Sequence, residues 1–389
     1  MHGTGVSEAV IDIAPKVELY IANPPTQAAL ADTAAWMESM GVEIINYSVG
    51  WTWDGPGDGT SPFASSPLKT VDQAVSDGIL WVNAAGNSHG EAWFGAWSDT
   101  DSDGYFNYSS IDESNAITVS STSTVQAQLR WDDSWDAATT DLALCLFNSS
   151  LVLVTCGDDG QSGVSGQVPR EWLSVSVSAG TYHLVIFRNS GADPSWMQMH
   201  SWSGESLQYV GSAQSISNPA ESANPGVLTV GAAAHSSTST IESFSSQGPT
   251  PDGRIKPDIV GADRGNSASY GAGGFAGTSQ ASPHVAGLAA LVLQRFSTKT
   301  PVQLAEYLKT NAVDRGTGGV DNTWGYGFAE LVAPAAPVAA ADSYTIDEDE
   351  VLNVSAPGLL SNDSDDADAF TPEVVSTPAH GNLGTFGTD

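Results

Sequence analysis

The sequence predicts an α/β protein: a parallel sheet flanked by helices, interrupted by an antiparallel β-sandwich and followed by a partial C-terminal β module. Three observations predict it. Residues 17–90 alternate apolar strand-like runs with helix-like runs, the rhythm of a parallel sheet covered on both faces. From about residue 115 to 212 the rhythm becomes short alternating runs broken by Gly, Asn and Ser turns, the signal of antiparallel sheets. Helical spacing then returns, so the β-rich block reads as an insertion.

In chain order, the stretch after His2 reads as helical to Ile13, and Val17–Ala22 as a buried strand. Gln27–Met40 carries Leu30, Ala34, Met37 and Gly41 at helical spacing. Ile44–Val49 and Ile79–Asn83 read as buried strands, with a helix over Pro67–Ser76 between them. Asp141–Phe147, Leu151–Thr155, Trp172–Val177 and Tyr182–Phe187 are strands of the sandwich. Val227–Gly231 returns to a buried strand, and Gln280–Arg295 and Val302–Ala312 are helices. The expected division is 1–90 and 223–333 for the α/β domain, 91–222 for the insert, 334–341 for a stiff Pro/Ala linker and 342–389 for the partial module.

The chain has 389 residues, enough for two or three domains, and is 41% hydrophobic with 12 Trp, ample material for packed cores, so global disorder is not expected. It holds 12 Lys and Arg against 45 Asp and Glu, a net charge of −33. Phosphate binding needs clustered bases, so nucleic acid and anionic membrane surfaces are not expected partners. No run of about 18 apolar residues appears, so no membrane span is expected. The acid is uneven: residues 342–389 hold 11 acids and no base, and residues 88–226 hold 16 acids and 3 bases. Such Lys-poor acidity suits exported or salt-tolerant proteins.

The strongest chemical signal is Gly277-Thr-Ser279-Gln-Ala-Ser-Pro-His-Val-Ala-Gly287. A Gly-rich loop delivers Ser279 to the first turn of an apolar helix, where its N–H is spare and the helix dipole favours a developing oxyanion. A lone Gly-x-Ser before a helix is more often only an N-cap. His2-Gly-Thr-Gly-Val places a histidine just before a helix. Ala84-Ala-Gly-Asn87 follows the third predicted strand, and parallel sheets bind ligands at such strand ends. The Asn87 amide can donate to an oxyanion there, or the Gly-Asn pair is merely a turn.

Together and in this order, these three motifs resemble the subtilisin-like (subtilase) serine peptidases. Ser48-Val-Gly50 resembles the family's substrate-binding edge strand. Phe244-Ser-Ser-Gln-Gly-Pro249, Lys256-Pro-Asp258 and Trp324-Gly-Tyr-Gly-Phe328 resemble its other landmarks. The resemblance covers roughly residues 1–90 and 223–333. It implies Ser279 as nucleophile, His2 as general base and acid, and Asn87 with the Ser279 N–H as oxyanion hole. It also implies that Ser48, Val49 and Gly50 hydrogen-bond an extended peptide, and that Ala85 and Gly86 line the pocket for the residue before the scissile bond. The asparagine sets the chain apart from sedolisins, and Ser279 lacks the glycine two residues on that an α/β-hydrolase elbow carries.

The family order is Asp, then His, then Ser, and with His at position 2 no residue here fills the place of that aspartate. Asp12, ten residues along a helix from His2, would be about 15 Å away. Loss of the triad carboxylate costs about four orders of magnitude in rate, so low activity is expected of the chain as given. Gly5 stands where a histidine is common, and His284 matches a helix histidine expected to be structural. A general base at the second residue implies a fragment cut at both ends. The tail agrees, since Asp342–Glu350, Asn362–Asp365 and Thr377–Gly381 resemble the start of a bacterial cadherin-like or Ig-like repeat.

The insert resembles β-sandwich modules of some secreted subtilases, through Trp131–Trp135 and Gly180–Val185. Asp99, Asp101 and Asp103, in Asp99-Thr-Asp-Ser-Asp-Gly104, form either a structural calcium loop or an acidic solvated loop; Ser110 stands where an EF-hand has its bidentate Glu. No cofactor is required for the chemistry. Cys145 and Cys156 flank a possible turn at Asn148–Ser150, and are either a cross-hairpin disulfide or two free thiols. The expectation is a secreted or cell-surface, bacterial-type serine endopeptidase acting on proteins or peptides, in an oligomeric state the sequence leaves open. The alternative is a non-catalytic extracellular binding or adhesion fragment with an inert peptidase fold.

Overall fold

The computed structural model describes residues 1–204, 206–211, 214–331, 337–355, 358–364 and 373–384. Five helices and twelve strands are present among them. The α/β part holds α1 (His2–Ile13), α2 (Gln27–Ser39), β1 (Ile44–Tyr47), α3 (Pro67–Ser76) and β2 (Leu80–Ala84), then β11 (Val227–Ala234), β12 (Ile259–Asp263), α4 (Thr278–Arg295) and α5 (Pro301–Thr310). Helix starts follow local chemistry. The Thr26 hydroxyl accepts from the Ala29 N–H, and Ser66 accepts from Leu68 N–H ahead of Pro67. Thr300 and Gln303 form a capping box.

β1, β2, β11 and β12 lie side by side in that order, all parallel. Alternation along the strands sends Leu80 and Val82 to one face, where they pack with Leu228 and Val230 against Ala281, Val285 and Ala289 of α4 and Leu304 of α5. Trp81 goes to the other face with Ile45 and Tyr47, under Leu30 of α2 and Val71 of α3. Both faces are therefore covered, as nearly continuous apolar strands require. α1 packs along α4: Gly5 abuts Tyr270 and Phe275, and Gly287 abuts Ile13. The two helices thus run the same way, with their N-termini at one end.

Between β2 and β11 stand the eight sandwich strands: β3 (Ala92–Gly95), β4 (Asn115–Val119), β5 (Ser123–Trp131), β6 (Asp141–Asn148), β7 (Leu153–Gly157), β8 (Arg170–Val177), β9 (Gly180–Ser190) and β10 (Met197–Ser201). They form two antiparallel sheets, ordered β3-β10-β5-β8 and β4-β9-β6-β7. Leu129, Trp131, Leu142, Leu144, Leu184 and Ile186 fill the space between them. Cys145 and Cys156 face each other across the β6–β7 hairpin and are joined by a disulfide.

Val17–Ala22, expected to be a strand, forms no ladder, and Ile21 is 65% exposed. A strand needs a neighbour, and a cavity of about 600 Å³ separates this segment from Ile44–Asn46 of β1. The Leu80 N–H donates to Glu43 O, so alternation turns the backbone groups of Ile44 and Asn46 away from β2 and toward that cavity. In the tail, the described residues form an isolated bridge between Val338 and Ser364 and a short turn of helix at Gly358–Leu360. Residues 334–336 of the expected linker and Asp365 lie outside the described residues.

The sandwich is fastened to the α/β part by buried polar contacts. Arg130 of β5 is fully buried; it donates to both carboxylate oxygens of Glu221, to Gly55 O and to Gln198 Oε1, and lies over the Trp53 ring at 4.4 Å. Gln128 pairs with both the N–H and the C=O of Trp53. Truncating Glu221 would strand a guanidinium without water. We expect Glu221→Ala to lower unfolding free energy by about 3–5 kcal/mol, read by urea denaturation.

Candidate active site

The carboxyl ends of three parallel strands meet the N-terminus of α4. After β1, the Ser48 carbonyl accepts from Ser279 Oγ at 3.2 Å. The Ser48 hydroxyl contacts Ser279 O at 3.0 Å and Ser282 Oγ at 2.9 Å. After β2, Asn87 Oδ1 accepts from both the N–H and the hydroxyl of Thr278, each at 2.9 Å. At the end of β12, both carboxylate oxygens of Asp263 accept from the Gly277 N–H at 3.1 Å.

Gly277 takes φ 141°, and a Cβ there would lie 3.0 Å from Asn87 Nδ2, so both backbone angle and space call for glycine. Ser279, the second residue of α4, is half-buried. Among the described residues its N–H and Asn87 Nδ2 have no hydrogen-bond partner. Both are donors left open beside the serine hydroxyl, and Asn87 is exposed to solvent. Pro283 lies inside α4, where its missing N–H leaves the Ser279 carbonyl free to accept from the Ser48 hydroxyl.

His2 begins α1, at the same end of the paired helices as Ser279. Its ring packs edge-on to Phe275, with centroids 5.7 Å apart. This desolvation, with the nearby amino group of Met1, lowers its pKa and favours the neutral imidazole that a base requires. No hydrogen bond joins His2 to Ser279 among the described residues, and none joins it to a carboxylate. Asp12 lies at the far end of α1.

Val49 and Gly50 are exposed beside the serine, and neither backbone N–H is bonded among the described residues. Ala85 is buried and Gly86 half-buried with φ 113°. Ser217 escaped the sequence reading. Its N–H donates to Ala85 O at 3.3 Å, and its hydroxyl lies 2.7 Å from a Cβ built on Gly50 and 3.3 Å from one on Gly86. It therefore closes the space between Ser48–Gly50 and Ala85–Gly86. Asn218, beside it, pairs with Trp51. His284 Nδ1–H donates to the Ala262 carbonyl at 2.8 Å, away from the serine.

The Subtilase family model, peptidase S8, matches residues 2–206 and 157–327. The chain belongs to the subtilase family. A second family model, the bacterial Ig domain, matches residues 334–388. Among curated relatives, this subtilase chain is 36% identical over 137 residues to serine protease AprX of Bacillus subtilis, covering 30% of each. It is 43% identical over 65 residues to an extracellular serine protease of Serratia marcescens, covering 17% of the chain and 6% of that protein. The matched part thus spans a third or less of these relatives. The solved CspB protease of Clostridium perfringens shares the fold, with a TM-score of 0.56 at 16% identity over 82% of this chain and 72% of that one. No described helix is long and apolar enough to cross a membrane.

In the sandwich, carboxylate oxygens of Asp99, Asp101 and Asp103 lie within 4.8 Å of one another. Partial burial, then repulsion from these three, raises the Glu113 carboxyl above its usual range. Asp99 also accepts from the Ser102, Asp103 and Gly104 N–H groups, and Asp103 from the Tyr105 N–H.

Asn87 has two separable duties, an acceptor for Thr278 and a free donor. Asn87→Ala is expected to cost about 1–2 kcal/mol of stability through the lost acceptor. It should also slow phosphonylation of Ser279 by about 100-fold or more through the lost donor. Denaturant melts and probe-labelling rates read the two separately.

Proposed function

We propose that this chain carries the nucleophile, base and oxyanion hole of a serine endopeptidase that cleaves peptide bonds through an acyl-enzyme at Ser279. The observation that carries this reading is the pair of donors, Ser279 N–H and Asn87 Nδ2, that lie beside the Ser279 hydroxyl with no partner among the described residues. An extended substrate pairs along Ser48–Gly50, and its side chain before the scissile bond enters the space bounded by Ala85, Gly86 and Ser217. Ser279 Oγ attacks the carbonyl carbon while His2 accepts the hydroxyl proton. The carbonyl oxygen becomes an oxyanion held by the two donors, where water is displaced and charge is costly to leave unpaired. His2 then protonates the departing amine, and water repeats the cycle on the ester.

The chain as given would be slow, because among the described residues no carboxylate bonds His2 to orient it. The cavity between Val17–Ala22 and β1 supports the same reading. It has mixed, mostly apolar walls, an open strand edge at Ile44 and Asn46, and a buried Asn46 Oδ1 with no partner among the described residues. An added strand would complete the sheet there, where the family's order calls for an Asp-bearing strand. Extracellular relatives and the disulfide support export. The competing reading, a binding fragment with an inert peptidase fold, draws on the uncarboxylated His2 and on the bacterial Ig domain.

A fluorophosphonate probe separates the two. Slow labelling that Ser279→Ala abolishes supports the peptidase; absence of labelling in a chain extended to supply the carboxylate supports the binding fragment. We also propose that Asp99, Asp101 and Asp103 hold a structural calcium ion. Calorimetry should then show binding, and saturating calcium should raise the melting temperature by a few degrees, with both effects lost in Asp101→Asn.

A further inference from the structure

Asp263 is a buried carboxylate that the catalytic steps above do not use. It ends β12 and is fully buried. Both its oxygens accept from the amide of Gly277, two residues before Ser279. The Arg264 N–H also donates to it. Gly277 has no side chain to cap α4, and the side-chain acceptors at its start, Asp263 on the Gly277 N–H and Asn87 on the Thr278 N–H, both come from strand ends. The turn that carries the serine is therefore held from outside the helix.

Its neighbours show that this is a built junction. Gln280, one residue after Ser279, accepts from Gly265 N–H at 2.9 Å and donates to Gly265 O at 3.3 Å. His284 bonds Ala262 O. Residues 262, 263 and 265 thus grip residues 284, 277 and 280. Of these contacts, the Asp263 bond reaches nearest the start of the turn, and it alone uses an ionisable acceptor with no proton of its own to place.

We propose that Asp263 is a positioning residue for Ser279: its ionised carboxylate clamps the Gly277 amide, and protonation releases the serine-bearing turn. A carboxylate accepts the Gly277 and Arg264 N–H groups at full strength. A protonated carboxyl accepts them more weakly and introduces an O–H that needs an acceptor of its own. The inference rests on the reading of Ser279 as the nucleophile.

The charges around the group are Glu242 and Arg264, which pair with each other, and the rings of His235 and His284. Glu8 of α1 bonds Ser267 and Ser269 on the following loop. Burial, opposed by the Arg264 and Gly277 amides and reinforced by Glu242, raises the Asp263 pKa from 3.8 to about 6. Between those values the folded chain holds a proton the unfolded chain has released. Stability from this group therefore falls as pH rises through the window, and the ionised clamp is a net cost to the fold above about pH 6. A group kept only for stability would not be left ionised there.

The test uses the full chain, selectively 15N-glycine labelled, with Asp263→Asn as the variant. The Gly277 amide resonance is expected to titrate with a midpoint near 6 and to be flat in the variant. At pH 8 the variant should label with fluorophosphonate about tenfold more slowly, with a melting temperature no lower than the parent's. A Gly277 resonance that does not titrate overturns the proposal. So does unchanged labelling in D263N, or a loss of labelling that simply parallels a fall in melting temperature. If D263N does not fold, the parent's Gly277 titration decides alone. A parent chain that never labels sinks the nucleophile reading, while the Gly277 titration still decides the clamp.

Discussion

The structure depends on one constraint: parallel strands end at the same edge of their sheet. Every crossover that returns a chain to the start of the next strand leaves the carboxyl ends together. Here those ends are Ser48, Asn87 and Asp263, and each bonds a different residue of Gly277–Ser279. The first turn of α4 has spare N–H groups by its nature. Two of them, at Gly277 and Thr278, are consumed by strand-end acceptors, and the Ser279 N–H is left for substrate. The selective satisfaction of donors turns a helix start into an oxyanion site.

The sandwich extends that constraint outward. Its β5 strand holds Trp53 and Gly55 through Gln128 and Arg130, only a few residues after the open edge at Ser48–Gly50. Glu221, which neutralises Arg130, sits just past Ser217 and Asn218, which line and brace the space beside Ala85 and Gly86. The insert is therefore fixed to both walls of the cleft by buried polar contacts, which tolerate little displacement because a stranded charge has no water to turn to.

Much of this was legible in the sequence where information is local. Pro67–Ser76 is legible to the residue because Leu68, Val71, Ala74 and Val75 fall on one helical face. The serine motif announced α4, although the helix begins at Thr278, two residues earlier than periodicity alone suggests. Val17–Ala22 shows where local reading fails: an apolar run states that a strand is possible, but a ladder needs a neighbour, and a cavity lies where one would pair. Ser217, Asp263 and the Arg130–Glu221 pair were missed because their meaning lies in contacts across many residues of chain. The acceptor role of Asn87 was missed for the same reason, while its donor role was legible as one option from its place at a strand end and was chosen by the family resemblance.

The most direct measurement is a crystal structure of the chain after reaction with a peptidyl phosphonate. The account predicts phosphorus bonded to Ser279 Oγ, with the phosphonyl oxygen about 2.7–3.1 Å from Ser279 N and Asn87 Nδ2, and the peptide lying along Ser48–Gly50. An adduct at another residue, or one whose oxygen faces solvent while Asn87 Nδ2 stays unpaired, would contradict it.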